Sequence, residues 1–155
     1  MPVSHPASLS QLLIPLLLAA ALPACSGTTD PSIEQIHVAG TYGTVVTLTE
    51  NTCTGITVQS LPTSVAHTEG STSLTLTHGP LTYTGTLTTA GAFTTTPRTV
   101  GDPGGPQSTL SIAGQFSATG FVADVTVTVT SSTAPNCAYK VHWVGTKQGS
   151  PNSIP

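Results

Sequence analysis

Apolar and polar residues alternate with a period of two along most of this chain. Ile36, Val38, Gly40 and Tyr42 share one parity, which continues at Val46 and Leu48. Ile56 and Val58 make a short second run, followed by Leu74 and Leu76, then by Leu81, Tyr83, Gly85 and Leu87. Leu110, Ile112, Gly114 and Phe116 repeat the pattern. The clearest run is Phe121, Ala123, Val125, Val127 and Val129, set between Asp124, Thr126, Thr128 and Thr130. Tyr139, Val141 and Trp143 complete the series, with Lys140 and His142 on the opposite parity. Side chains on a strand point alternately to its two faces, so each run predicts a strand with one apolar face. No stretch of similar length carries a helical period.

Short turn signals separate the runs: Glu69-Gly70-Ser71, His78-Gly79-Pro80, Thr89-Ala90-Gly91 and Ala118-Thr119-Gly120. Connections this short imply hairpins, so consecutive strands are expected to be antiparallel neighbours. Gly101-Asp102-Pro103-Gly104-Gly105-Pro106 is the strongest breaker cluster and reads as a surface loop. The pattern predicts an all-β fold: an antiparallel meander of about eight strands, a usual number for an up-and-down barrel. The barrel is expected to be closed or nearly closed, with a β-sandwich as the alternative. The segment Gly149 to Pro155 holds two prolines and is expected to be a disordered tail beyond a barrel-like domain at residues 35–148.

Composition strengthens this picture. Thirty of the 155 residues are threonine, a β-branched residue that suits strands and tolerates a wet face. Charged residues make up only 6%, and the net charge is −3. Arg98, Lys140 and Lys147 are the only Lys and Arg residues, too few to assemble a phosphate-neutralising patch, so nucleic acid is not an expected partner.

The N-terminus has a different character. Leu12 to Leu22 is continuously apolar, too short to span a bilayer comfortably and the right length for a signal-peptide core. Leu22-Pro23-Ala24-Cys25 follows at once and resembles the lipobox of bacterial lipoproteins, with Pro23 where that family usually has Ala, Ser, Thr or Val. The resemblance covers the first 25 residues. It implies a signal peptide at residues 1–24, lipid attachment at Cys25, and residues 25–34 as a flexible tether. Export to the cell envelope follows, with membrane contact through the lipid. Ser26 after the cysteine favours the outer membrane in a diderm bacterium. With Cys25 lipidated, Cys53 and Cys137 remain as a disulfide pair for an oxidising compartment. Such a bond sets the end of the first strand beside the start of the last, as closure of a meander requires. The Gly40-Thr41-Tyr42 start, the hairpin order and the aromatic last strand resemble a small lipocalin-like barrel, with Tyr42 where lipocalins usually carry Trp.

Candidate chemistry is sparse. His5, His37, His67, His78 and His142 match no zinc-ligand spacing, so no metal site is expected, and no cofactor motif is present. There is no Gly-x-Ser-x-Gly elbow and no obvious carboxylate pair, and a non-catalytic protein is expected. Tyr42, Tyr83, Tyr139 and Trp143 lie on the apolar faces of their strands. They read either as core or as the lining of a cavity at the barrel mouth that stacks on a small apolar ligand. The expected function is a binding module for such a ligand or for an envelope component. The alternatives are a structural or interaction lipoprotein with a filled core and, more distantly, a hydrolytic enzyme.

Overall fold

A computed structural model describes residues 35–155; the expected signal peptide, Cys25 and the expected tether lie outside the described residues. Nine strands follow in order: β1 (Gly40–Asn51), β2 (Thr63–His67), β3 (Ser73–His78), β4 (Leu81–Leu87), β5 (Ala92–Thr95), β6 (Arg98–Gly101), β7 (Gln107–Ser117), β8 (Gly120–Thr130) and β9 (Cys137–Lys147). Every pairing between strands is antiparallel. The sheet order is β5-β4-β3-β2-β1-β9-β8-β7-β6, and a further β5–β7 pairing closes it into an eight-stranded barrel with β6 as an extra strand. The barrel, rather than the sandwich, is the architecture of this chain.

β5 and β6 lie end to end along one edge of β7. Phe93 sits opposite Gly114 and Arg98 opposite Leu110, so the register slips by one residue between them. Pro97 falls in that gap and has no N–H to offer a ladder. The Thr95 hydroxyl accepts the Ile112 N–H at 3.0 Å where the strand ladder lapses. The interruption lets one edge serve both closure and the extra strand, as bulges do elsewhere.

The apolar parity points inward as expected. Tyr42, Leu74, Leu76, Tyr83, Leu87, Ile112, Phe116, Phe121, Val125, Val127, Val141 and Trp143 are all buried. Three short strands were not anticipated. β2 presents Thr63 and Val65 inward, β5 presents Phe93 and Thr95, and β6 is a four-residue piece. Ile56 and Val58, expected to form a strand, instead lie in the loop at residues 52–62. Val58 still packs on the core, because the loop lies across the barrel and needs an apolar underside.

The two ends of the barrel differ. At the base, Phe93, Phe116, Phe121 and Tyr42 form an aromatic plug, with ring centroids 4.8–6.1 Å apart. The Tyr42 hydroxyl approaches the Val38 carbonyl at 2.6 Å and Asn152 Oδ1 at 2.7 Å. Burial pushes its phenol up to about 12, against the opposing hydrogen bond with Asn152. Asn152 Nδ2 donates to the carbonyls of Ser117 and Gly120, and Lys147 Nζ donates to Asn152 Oδ1. The segment at 149–155 is therefore a docked element rather than a disordered tail. Ser153 bridges to His37, Asn152 is buried, and Ile154 packs on the core. Two prolines did not loosen it, because the side-chain amide of Asn152 supplies donors and an acceptor to buried groups that have few other partners.

At the opposite end, Cys53 and Cys137 form a disulfide across a sequence separation of 84 residues. β1 pairs with β2 only from Gly40 to Tyr42, so its upper part has a free edge. The loop at 52–62 crosses that edge, and Ser60 Oγ accepts the Val46 N–H at 3.0 Å.

Candidate functional site

The upper barrel holds a cavity of about 290 Å³ between the loop at 52–62 and the inner faces of β4, β7, β8 and β9. Its floor and walls come from the alternation itself. Val125 and Val127 face in from β8, and Tyr139, Val141 and Trp143 from β9. Leu81 and Tyr83 face in from β4, and Leu110 from β7. Val58, Gln59 and Leu61 close it from the loop. Gly79, at φ 54° in the tight β3–β4 turn, sits against Leu61, whose Cδ1 lies 2.8 Å from where a Cβ would stand. A glycine here allows both the turn and the seating of the loop.

Four aromatic residues were candidates for such a site, and the structure separates them. Trp143, Tyr139 and Tyr83 line the cavity. Tyr42 belongs to the aromatic plug at the other end of the barrel and does not reach the cavity; its role there is packing and hydrogen bonding. The parity of β1 turned it inward correctly but could not say at which level it would sit.

His78 joins the site although its neighbours Gly79 and Pro80 suggested only a turn residue. It ends the inward series Leu74, Leu76, His78, a signal present in the alternation. Its ring stacks on Trp143, with centroids 4.2 Å apart and planes at 28°. Thr63 Oγ1 lies 2.9 Å from His78 Nδ1, and Thr44 Oγ1 donates to Thr63 Oγ1 at 2.8 Å. With Thr44 donating to Thr63, the Thr63 proton is free to point at His78 Nδ1, which fits a neutral imidazole carrying its proton on Nε2. Burial pulls the His78 imidazole below its usual 6.5, opposed by a hydrogen bond to the backbone of Gln59.

None of the lining residues is Asp, Glu, Lys or Arg. Arg98 lies outside the lining, and its guanidinium donates to the Thr82 carbonyl. A second hollow of about 480 Å³ surrounds the disulfide, lined by Thr52, Ile56, Pro106, Val129 and Pro135 among others. Among the described residues there is no cluster of His, Cys, Asp and Glu that could hold a metal ion. The chemistry available at the cavity beside Trp143 is apolar contact, ring stacking and a few uncharged hydrogen-bonding groups. No protein-family model, curated protein or solved structure matches this chain.

Proposed function

We propose that this protein is an exported, lipid-anchored binding module that holds a small apolar ligand in the mouth of its barrel. The observation that carries this reading is the cavity of about 290 Å³ against Trp143, walled by aliphatic and aromatic side chains. A purely structural barrel would have that interior filled by side chains, as its own base is by four aromatic rings. The volume lies near the lower end of ligand pockets, roughly 300–1,000 Å³, which limits the ligand to a small one. Export and anchoring are supported by the apolar run ending at Leu22-Pro23-Ala24-Cys25 and by a disulfide suited to an oxidising compartment. The chain joins the barrel at its base, where Ile36 and Val38 are buried. A tether from Cys25 would therefore join the barrel at its closed end.

Trp143 is the only tryptophan, so its emission reports on the cavity alone. N-phenyl-1-naphthylamine, an uncharged apolar fluorophore, should bind the purified protein saturably and quench Trp143 emission by energy transfer. Saturable binding that leaves Trp143 emission unchanged, or no binding, overturns the reading. Anchoring is tested separately in the producing cell: labelled palmitate should enter the protein and fail to enter a Cys25→Ser variant. Equal labelling of both would remove the lipid from the proposal.

A further inference from the structure

The loop at 52–62 covers more than the cavity beside Trp143. Ile56 and Val58 are half-buried and flank the exposed Thr57, so both turn to the underside of the loop. Val58 closes the cavity, whereas Ile56 lines the hollow of about 480 Å³ around the disulfide. The facing strands make the same step. On β8, Val127 lines the inner hollow and Val129 the outer; on β9, Tyr139 lines the inner and Cys137 the outer. Val127 pairs in register with Tyr139, and Val129 with Cys137. The two hollows are therefore walled by successive inward rows of one strand pair. Strand β9 covers about 20 Å between Trp143 and Cys137, at roughly 3.3 Å per residue. The hollows are separate rather than one chamber, so a ligand in both passes a neck at the row of Val127, Tyr139 and Val58. A flexible hydrocarbon chain threads such a neck, and a rigid fused-ring body does not. Beyond it, Thr54, Ser131 and Thr133 give the outer hollow a rim of hydroxyls. The inner hollow alone is at the lower limit of ligand pockets, roughly 300–1,000 Å³, and the pair lies well within that range.

Resting on the binding reading above, we propose that the two hollows form one site for a linear alkyl or acyl chain. The end of the chain lies against Trp143, its middle passes Tyr139, and its polar head reaches the hydroxyl rim beside the disulfide. Displacement of N-phenyl-1-naphthylamine by 1-hexanol, 1-octanol, 1-decanol and 1-dodecanol, each below its solubility limit, tests this. Affinity should rise roughly fourfold with each added methylene through the whole series. Ala134→Phe and Val129→Phe each put a ring into the outer hollow. Each should weaken 1-dodecanol by about tenfold or more while leaving 1-hexanol unchanged, which also shows that the variant is folded. The proposal is overturned if affinity stops rising at 1-octanol in the wild type, or if 1-dodecanol binds both variants as it binds the wild type. Equal loss of the short and the long alcohol in both variants overturns it too. It is overturned alone if no alcohol displaces N-phenyl-1-naphthylamine from protein that takes the probe. If the probe itself fails to bind, the binding reading falls with it.

Discussion

The stacked pair of His78 and Trp143 shows how a single side chain ties the cavity wall to solution conditions. Burial lowers the imidazole below 6.5, so the folded protein resists a proton that the unfolded chain accepts. The stability this group contributes is then fully present above pH 6.5. It falls as pH drops through 6.5 toward the lowered value of the folded state, because the unfolded chain binds the extra proton first. No charged side chain faces this ring from the cavity; its contacts are Trp143, Thr63 and the Gln59 backbone. Trp143 emission should therefore step on acidification with a midpoint below 6.5, and His78→Gln should remove the step. A midpoint at or above 6.5 in the wild type would contradict the burial argument. The inward placement of Trp143 was legible in the sequence, since Lys140 and His142 occupy the other parity of β9 and a slip of one residue would bury both. The placement of His78 was equally encoded by Leu74 and Leu76. There, however, the Gly-Pro that follows competes as a turn signal, and residue type alone could not rank the two.

At the scale of elements, legibility followed strand length. β7, β8 and β9 each run 11 residues, long enough for period two to stand out. β2 and β5 run four or five residues and bury one threonine beside one apolar side chain, and the four-residue β6 buries none fully, so their inward faces carry no clear apolar signature. Thr63 and Thr95 are tolerated inside because each hydroxyl is hydrogen-bonded, to Thr44 and His78 in one case and to Ile112 in the other. The Ile56–Val58 alternation misled for the opposite reason: a loop that covers a barrel also needs an apolar side. The disulfide anchors one end of that loop and closes a chain segment of 84 residues. In the chain-entropy model, opening it should cost about 4–5 kcal/mol of stability, an upper value because reduced proteins often retain structure. Urea unfolding with and without reductant measures this. Reduced protein should also bind N-phenyl-1-naphthylamine more weakly, because the cover over the cavity loses its fixed end. A reduced protein with unchanged midpoint and affinity would show that the loop at 52–62 is held by Ser60 and Leu61 alone.

Over the whole molecule, the barrel works as a sealed base carrying an open mouth, and both ends of the described chain are spent on the seal. His37 and Ser153 exchange backbone hydrogen bonds at 2.9 and 3.1 Å, so the segments entering and leaving the barrel meet beneath Tyr42. Closure of the sheet was readable from the cysteines and the hairpins, whereas this seal was not. Asn152 stands between prolines in a stretch without alternation, and its value comes entirely from the groups it meets across the fold. Its Oδ1 receives Lys147 Nζ at 2.8 Å and the Tyr42 hydroxyl at 2.7 Å, and its Nδ2 serves two carbonyls of the β7–β8 turn region. Asn152→Ala removes all of these. The Tyr42 hydroxyl keeps Val38 and Lys147 Nζ keeps the Ala39 carbonyl, while the Ser117 and Gly120 carbonyls lose the Asn152 donor, so it should lower stability by about 1–3 kcal/mol. Binding at the mouth should be unaffected while the protein remains folded, because the affected groups lie at the other end of the barrel and share no partner with the cavity. Urea unfolding and N-phenyl-1-naphthylamine titration of the same variant separate the two effects. A stability loss well under about 1 kcal/mol would mean that the tail adds little to the seal. A loss of affinity in folded protein would mean that the aromatic base and the cavity are mechanically coupled, and that the barrel tightens and opens as one piece.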